Sequence, residues 1–140
     1  LLARMDRAGC IAARRHSGEI VVTTSVNHVA FNKAIPLGSI VTIEAKVSRA
    51  FKTSMEVYLD VWINSDGGAK VKSNEAIYTF VAVDKNGKPT AIAEITPESK
   101  EEIERYNGAL RRRQLSLVLA GKLKAQEATE LKALFLTNPK

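Results

Sequence analysis

The sequence is poor in the residues from which metal sites and disulfides are built. Its single cysteine, Cys10, cannot form a disulfide within the chain, and its two histidines, His16 and His28, lack the spacing of zinc ligands. We therefore predict no metal site, and we interpret Cys10 as a small buried thiol rather than a nucleophile. Glycine-rich phosphate loops and Gly-x-Ser-x-Gly elbows are absent too, so the sequence offers no common nucleotide-binding or serine-hydrolase motif.

Long apolar runs are also missing. No stretch approaches the roughly 20 apolar residues of a membrane-spanning helix, and none has the pattern of a signal peptide. We therefore expect a cytoplasmic protein that does not insert into membranes. Because the chain opens in the middle of a helical pattern, we also expect that residues before Leu1 are missing from this sequence.

The net charge of +6 is compatible with an anionic partner, either nucleic acid or a phosphorylated cofactor, and equally with simple solubility. Acidic and apolar residues interrupt the basic run near the C-terminus, which argues against an arm that binds nucleic acid. Charge alone does not separate these classes, so the function has to be sought in individual residues.

Residues 1–13 show helical periodicity and carry one carboxylate on the apolar side. The apolar face comprises Leu1, Leu2, Met5, Ala8, Gly9, Ala12 and Ala13, and the arginines opposite it are Arg4, Arg7, Arg14 and Arg15. Asp6 has no basic residue three or four positions away with which to pair. Because burial of an unpaired carboxylate is costly, either another segment satisfies Asp6 or it performs chemistry.

A set of strand patterns follows a polar link at residues 14–19. A β-branched run starts at Ile20, apolar and polar residues alternate over 39–49 and 53–64, and a long run covers 69–83. The alternation in the second of these segments puts five side chains on one face: Met55, Val57, Leu59, Val61 and Ile63. We predict an α+β fold, in which a curved antiparallel sheet wraps around the opening helix.

From Pro97 the pattern becomes helical, with acidic residues in the first turn and a basic run at 111–113. Gly121 predicts a break before a second helical stretch at 122–135. We therefore divide the chain into a domain at 1–96 and a C-terminal helical extension at 97–140.

The candidates for chemistry are Asp6 and small polar residues at strand ends. A carboxylate on an apolar face can serve as a general base, and a purely structural buried Asp is an equally good interpretation of the spacing. Thr23, Thr24 and the segment 52–54 could hold an anion or the backbone of an extended ligand.

Several segments together resemble the hotdog-fold acyl-coenzyme A thioesterases, in the branch of the cytosolic long-chain acyl-CoA hydrolases and their small bacterial relatives. Residues 1–16 resemble the central helix of that family. In order along the chain, the other matching segments are 22–27, 31–38, 52–57, 78–84 and 97–113. Each segment is a modest match, but their order and spacing are specific, and the likeness extends to about Arg113.

The resemblance implies a hotdog fold and a homo-oligomer, either a dimer or a trimer of dimers, with active sites between subunits. It implies hydrolysis of fatty acyl-CoA to a fatty acid and CoA, with no cofactor because CoA is part of the substrate. Asp6 matches the family's catalytic carboxylate, which acts as general base or nucleophile, and Thr24 would line the site. Four residues would contact CoA: Lys52, Thr53, Ser54 and Arg111. The Gly-Gly pair and the polar residue that precede the helix in the family have no counterpart here.

Other classes remain open on the sequence. A hotdog domain that binds acyl-CoA without turnover, or regulates another protein, is the main alternative, because a fold does not fix a function. Dehydratases share the scaffold but usually rely on a His–acid pair, and neither His16 nor His28 occupies the expected position. A nucleic-acid-binding protein ranks last.

Overall fold

The structure, a computed structural model, describes residues 2–31, 35–64 and 68–121. Its elements in chain order are α1 (Leu2–Ser17), β1 (Ile20–Phe31), β2 (Ile40–Ala50), β3 (Ser54–Asn64), β4 (Lys70–Val83) and α2 (Lys100–Leu119). The contacts divide the chain into two compact units, Leu1–Thr96 and Pro97–Lys140. The second helical stretch predicted at 122–135 lies outside the described residues.

The four strands form one antiparallel sheet in the order β1-β4-β3-β2. Strands β2, β3 and β4 make the predicted meander, and β1 lies beside β4, so that Thr23 is opposite Phe80. Helix α1 precedes this sheet in the chain and covers one of its faces. We call this covered side the inner face.

Alternation along β3 and β4 gives the inner face its apolar side chains. Its residues on these two strands are Met55, Val57, Leu59, Val61, Ala76, Tyr78, Phe80 and Ala82, all in one core cluster with Met5 and Ala13 of α1. The predicted apolar face of β3 is therefore confirmed, and the four arginines of α1 predicted to lie opposite the core are exposed. Burial of this contiguous cluster is what holds the helix on the sheet.

A glycine allows α1 to approach the sheet closely. A Cβ atom built on Gly9 would lie 3.1 Å from two ring carbons of Phe80 and 3.4 Å from a methyl carbon of Leu59. Side chains larger than hydrogen would therefore require the helix or the ring of Phe80 to move.

The helix continues through most of the predicted polar link, as the resemblance of residues 1–16 to a helix implied. Residues 14–17, which we predicted to be part of a polar link, form the last turn of α1. Gly18 ends the helix with a φ of 69°, and its N–H donates to the carbonyl oxygen of Arg14 at 2.8 Å. Basic residues in a last helical turn interact favourably with the helix dipole, which is why this polar segment remains helical.

On the opposite side of the sheet, the outer face carries a cluster of charged groups. Lys72 Nζ lies 2.7 Å from Asp60 Oδ1 and 3.4 Å from Glu75 Oε2, and it stands 5.7 Å from the ring centre of Trp62. Burial lowers the pKa of Lys72, but the hydrogen bond and charge of Asp60, together with Glu75, outweigh this and raise it above its ordinary value of 10.5. Lys72 therefore compensates a carboxylate whose side chain is 8% exposed.

Replacement of Lys72 by Met is expected to destabilise the fold, because it removes a cation that lies 2.7 Å from the buried carboxylate of Asp60. We expect a loss of about 1–3 kcal/mol, below the cost for a fully buried pair because Lys72 is 29% exposed. The matched control is Lys70→Met, because Lys70 faces Glu44 at 3.9 Å with both side chains about half exposed. That variant should lose less than about 0.5 kcal/mol in urea unfolding. Equal losses from the two variants would contradict this interpretation.

The second unit contains α2, whose N-terminus has a capping box. Ser99 Oγ accepts from the Glu102 N–H at 3.1 Å, and Glu102 Oε2 accepts from the Ser99 N–H at 3.3 Å. The helix ends at Leu119, and Gly121 follows with a φ of 73°, as the predicted break requires. Among the described helices, none is long and apolar enough to cross a membrane.

Candidate functional site

Asp6 is held at the interface between the helix and the sheet. Its side chain is half-buried, and its Oδ1 accepts a hydrogen bond of 3.0 Å from the hydroxyl of Thr23 on β1. Because Thr23 is opposite Phe80, the hydroxyl lies on the inner face, where the neighbouring core side chains are apolar. The carboxylate of Asp6 therefore has one fixed oxygen at the border between core and solvent, as a general base needs.

A bulge in β1 decides which threonine reaches Asp6. Thr23 pairs with Phe80 and Ser25 pairs with Thr79, so Thr24 is the extra residue between them. The Thr24 hydroxyl donates to the backbone carbonyl of Thr79 at 3.2 Å. Both threonines were strand-end candidates in the sequence, but we selected Thr24 for the site, whereas the structure brings Thr23 to Asp6.

A phenol lies near the same carboxylate. Tyr78 occupies the inner face of β4, two residues before Phe80, and is 2% exposed. Burial, and then the charge of Asp6, raises the pKa of Tyr78 above its ordinary value of 10.0. Tyr78 is consequently protonated at neutral pH and can only act as a neutral group there. Tyr78 was not among the predicted site residues, since one tyrosine in a strand is usually part of a core.

The predicted CoA-binding segment comprises the turn between β2 and β3 and the first residue of β3. Lys52 is exposed, Thr53 is half-buried and Ser54 is buried. The carbonyl of Thr53 accepts from the Ala82 N–H at 2.9 Å, which ties this turn to β4 close to Phe80. Thr23 and this turn therefore lie at the same level along the strands, about two strand spacings or roughly 10 Å apart.

Arg111, the other predicted CoA contact, lies on α2 in the second unit. Its Nε is buried and has no hydrogen-bond partner among the described residues. The neighbouring Arg112 donates from Nη2 to the carbonyl of Arg105 at 3.2 Å, so it packs along its own helix.

The remaining nucleophilic and metal-binding candidates have structural surroundings. His16 Nε2 lies 2.7 Å from the carbonyl oxygen of Ala93, where it ties the end of α1 to a later segment. Cys10 is half-buried beside the core cluster. No group of three or more His, Cys, Asp and Glu able to hold a metal ion occurs within residues 2–31, 35–64 and 68–121.

A helix that covers one face of a four-stranded antiparallel sheet is the architecture that the sequence led us to expect of a hotdog protein. Comparison with known proteins gives the same class. A family model of the thioesterase superfamily matches residues 1–70. A hexameric acyl-CoA thioesterase in its apo form superposes with a TM-score of 0.81 at 32% identity, covering 85% of this chain and 77% of that one. The chain belongs to the thioesterase superfamily and has the hotdog fold.

Two bacterial relatives illustrate the extent of the match. The acyl-CoA hydrolase of Staphylococcus aureus, solved with butyryl coenzyme A and coenzyme A, has a TM-score of 0.78 at 32% identity, covering 94% of this chain and 80% of that chain. Protein VdlD of Helicobacter pylori is 34% identical over 116 residues, which are 82% of this chain. The match spans 66% of the length of VdlD, slightly less than two thirds of that curated relative.

Three variants of the Staphylococcus aureus hydrolase have solved structures. Each carries one alanine substitution, of an Asp, a Thr or an Asn. The Thr follows the Asp in that chain by the same 17 positions that separate Thr23 from Asp6. The Asn precedes the Asp by 15 positions in that chain.

Proposed function

We propose that the protein hydrolyses fatty acyl-CoA thioesters to the free acid and CoA, with Asp6 as the catalytic carboxylate. The observation that carries the proposal is the 3.0 Å hydrogen bond from Thr23 to Asp6 on the inner face. Two further facts support it: the relatives named as acyl-CoA thioesterases or hydrolases, and the shared spacing of the Asp and the Thr.

The chemical step assigned to Asp6 is general-base catalysis. Asp6 takes a proton from water as the water oxygen attacks the thioester carbon. The tetrahedral intermediate then collapses with cleavage of the carbon–sulfur bond, and the proton returns to the departing thiolate of CoA. Direct attack by Asp6 as a nucleophile is the second route, with an anhydride that water then cleaves.

The helix start is suited to stabilise the charge that develops on the carbonyl oxygen. In the family that the chain resembles, backbone N–H groups at the start of the helix that carries the catalytic carboxylate polarise this carbonyl. Such N–H groups stabilise an oxyanion. Thr23 would fix the orientation of Asp6 while leaving its second carboxylate oxygen available to water.

CoA recognition is assigned to basic and polar groups at two places. Lys52, Thr53 and Ser54 form the turn that lies level with Thr23 along the sheet, and Arg111 lies on α2. Phosphates accept charge-assisted hydrogen bonds from lysine and arginine, and the excess of positive charge suits a polyanionic substrate.

We further propose a homo-oligomer, either a dimer or a trimer of dimers, with sites between subunits, in a cytoplasmic location. Strand β1 pairs with β4 on one side alone in the described sheet, and Ile20, Val22 and Val26 are exposed along it. A paired partner strand would cover this edge. The hexameric relative supports such an assembly.

The test is release of thiol from a series of acyl-CoA esters of increasing chain length, from acetyl to palmitoyl. We expect hydrolysis with a defined chain-length optimum, and a much higher KM for the same acyl groups on N-acetylcysteamine, which lacks the nucleotide. The thiol of Cys10 can add at most one equivalent per chain to the thiol signal, and subtraction of an enzyme-only blank removes this contribution. Binding of CoA without hydrolysis of any ester would instead establish a binding or regulatory module.

A further inference from the structure

Three segments of the first unit that carry basic side chains meet at one end of the sheet. Strand β1 starts at Ile20, shortly after the end of α1, and Ile20 is opposite Val83 at the end of β4. Strand β3 starts at Ser54, opposite Val81, so the turn before β3 lies at the same end. The basic residues of the last turn of α1, of the turn before β3 and of the turn after β4 are Arg14, Arg15, Lys52, Lys85 and Lys88.

Two hydrogen bonds hold the end of α1 beside the turn that contains Lys52. His16 Nε2 lies 2.7 Å from the carbonyl oxygen of Ala93. The N–H of the preceding residue, Ile92, donates to the carbonyl oxygen of Lys52 at 3.1 Å. One short segment therefore joins the last turn of α1 to Lys52, a residue already assigned to CoA. Arg15, which directly precedes His16, belongs to the same part of the surface.

Arg14 and Arg15 have no partner in the fold that accounts for their two charges. Both are exposed, and no carboxylate pairs with either guanidinium within the part of the chain that the structure describes. The helix dipole favours positive charge in this turn, but at an exposed position that effect is small. A guanidinium without a carboxylate partner can bind phosphate through two parallel hydrogen bonds.

The position of this pair along α1 fits the length of CoA. Arg15 lies nine residues after Asp6, which is roughly 14 Å along the helix axis. The pantetheine arm between the sulfur and the diphosphate of CoA is a chain of about 13 bonds, which spans roughly 15 Å when extended. A thioester at Asp6 can therefore bring its phosphates level with the end of α1.

We propose that Arg14 and Arg15 extend the CoA-binding site from Lys52 and bind phosphate groups of the nucleotide part of CoA. The two arginines touch neither the thioester nor Asp6, so their contribution is to substrate binding. This inference rests on the proposed function, and it names the groups that distinguish a CoA ester from the same acyl group without the nucleotide.

The test compares the double variant Arg14→Gln/Arg15→Gln with the matched control Arg4→Gln/Arg7→Gln. Each removes two exposed arginines from α1, so the change in net charge is the same in both. We expect the first variant to raise KM for acyl-CoA about tenfold with kcat changed less than about twofold, and the control to change KM less than about twofold. With acyl-N-acetylcysteamine, which lacks the nucleotide, neither variant should change kcat/KM.

Calorimetric titration with CoA gives a second measurement that does not depend on turnover. The Kd of CoA should rise about tenfold in Arg14→Gln/Arg15→Gln and stay within about twofold of wild type in the control. Equal Kd values for the two variants, with an active wild type, would overturn this inference and leave the proposed function intact. A wild type that binds CoA without hydrolysing any ester, and whose binding the first variant weakens, would overturn the function and support the site. A wild type that does neither would overturn both.

Discussion

Asp6→Asn is expected to lower kcat for acyl-CoA hydrolysis by about 10²- to 10⁴-fold, the range that a positioned general base contributes. Asparagine is nearly isosteric and its amide oxygen can still accept the hydrogen bond of Thr23, so the geometry of the helix and the sheet should be retained. What is lost is the ability to take a proton. Because CoA is bound elsewhere in this account, KM should change by less than about threefold.

The matched control for this variant is Asp84→Asn. Asp84 accepts from the N–H groups of Asn86 and Lys88 in the turn after β4, so its carboxylate organises a turn and has no part in the proposed site. We expect this control to keep full activity. Circular dichroism and thermal unfolding of both variants would show that each is folded. Full turnover in Asp6→Asn would reduce Asp6 to a structural role.

Gly9→Val is expected to damage stability and activity together. The first carbon added at Gly9 already lies 3.1 Å from the ring of Phe80, and valine brings two further methyl groups into the same space. Overpacking of this kind costs about 1–3 kcal/mol and sometimes more, whereas the gain in helix propensity over glycine is at most about 0.5 kcal/mol. We therefore expect a net loss of about 0.5–2.5 kcal/mol in urea unfolding.

The loss of activity follows from the position of Gly9, three residues after Asp6 on the same helix. If the ring of Phe80 does not yield, α1 must move away from the sheet and carry Asp6 away from Thr23. A displacement of about 1 Å at a catalytic group can cost around 10²-fold in rate. The folded fraction of Gly9→Val should therefore turn over more slowly than wild type.

Gly108→Val is the matched control for the packing argument. A Cβ atom at Gly108 would meet the guanidinium of Arg112 at 2.8 Å, which is the far end of a flexible side chain and can move aside. Stability should change by less than about 1 kcal/mol and kcat should not change. A Gly9→Val protein as stable and active as this control would show that the helix does not need its close approach.

Much of the first unit could be predicted because its patterns are local. The helical spacing around Asp6, the alternation along β3 and the acidic start of α2 each depend on residues that are neighbours in sequence. The end of α1 was predicted in two ways. Composition assigned residues 14–17 to a polar link, whereas the family resemblance extended the helix to residue 16, and the backbone at Gly18 shows where the helix stops.

The partner of Asp6 could not be predicted, because it depends on a bulge. In the run of β-branched residues in β1, nothing marks Thr24 as the extra residue, and a shift of one position moves every side chain to the other face. The ion pair between Lys72 and Asp60 also depends on a break in the strand register, because the pairing of β3 with β4 shifts between Val61 and Trp62.

A double-mutant cycle on kcat with Asp6→Asn and Thr23→Val tests most directly whether Asp6, oriented by Thr23, is the catalytic carboxylate of acyl-CoA hydrolysis. Valine keeps the shape of threonine and removes the hydroxyl that donates to Asp6. We predict that Thr23→Val alone loses about 10-fold, and that the double variant is no slower than Asp6→Asn, because both act on one carboxylate. Losses that multiply, or a Thr23→Val protein with wild-type kcat, would contradict the account.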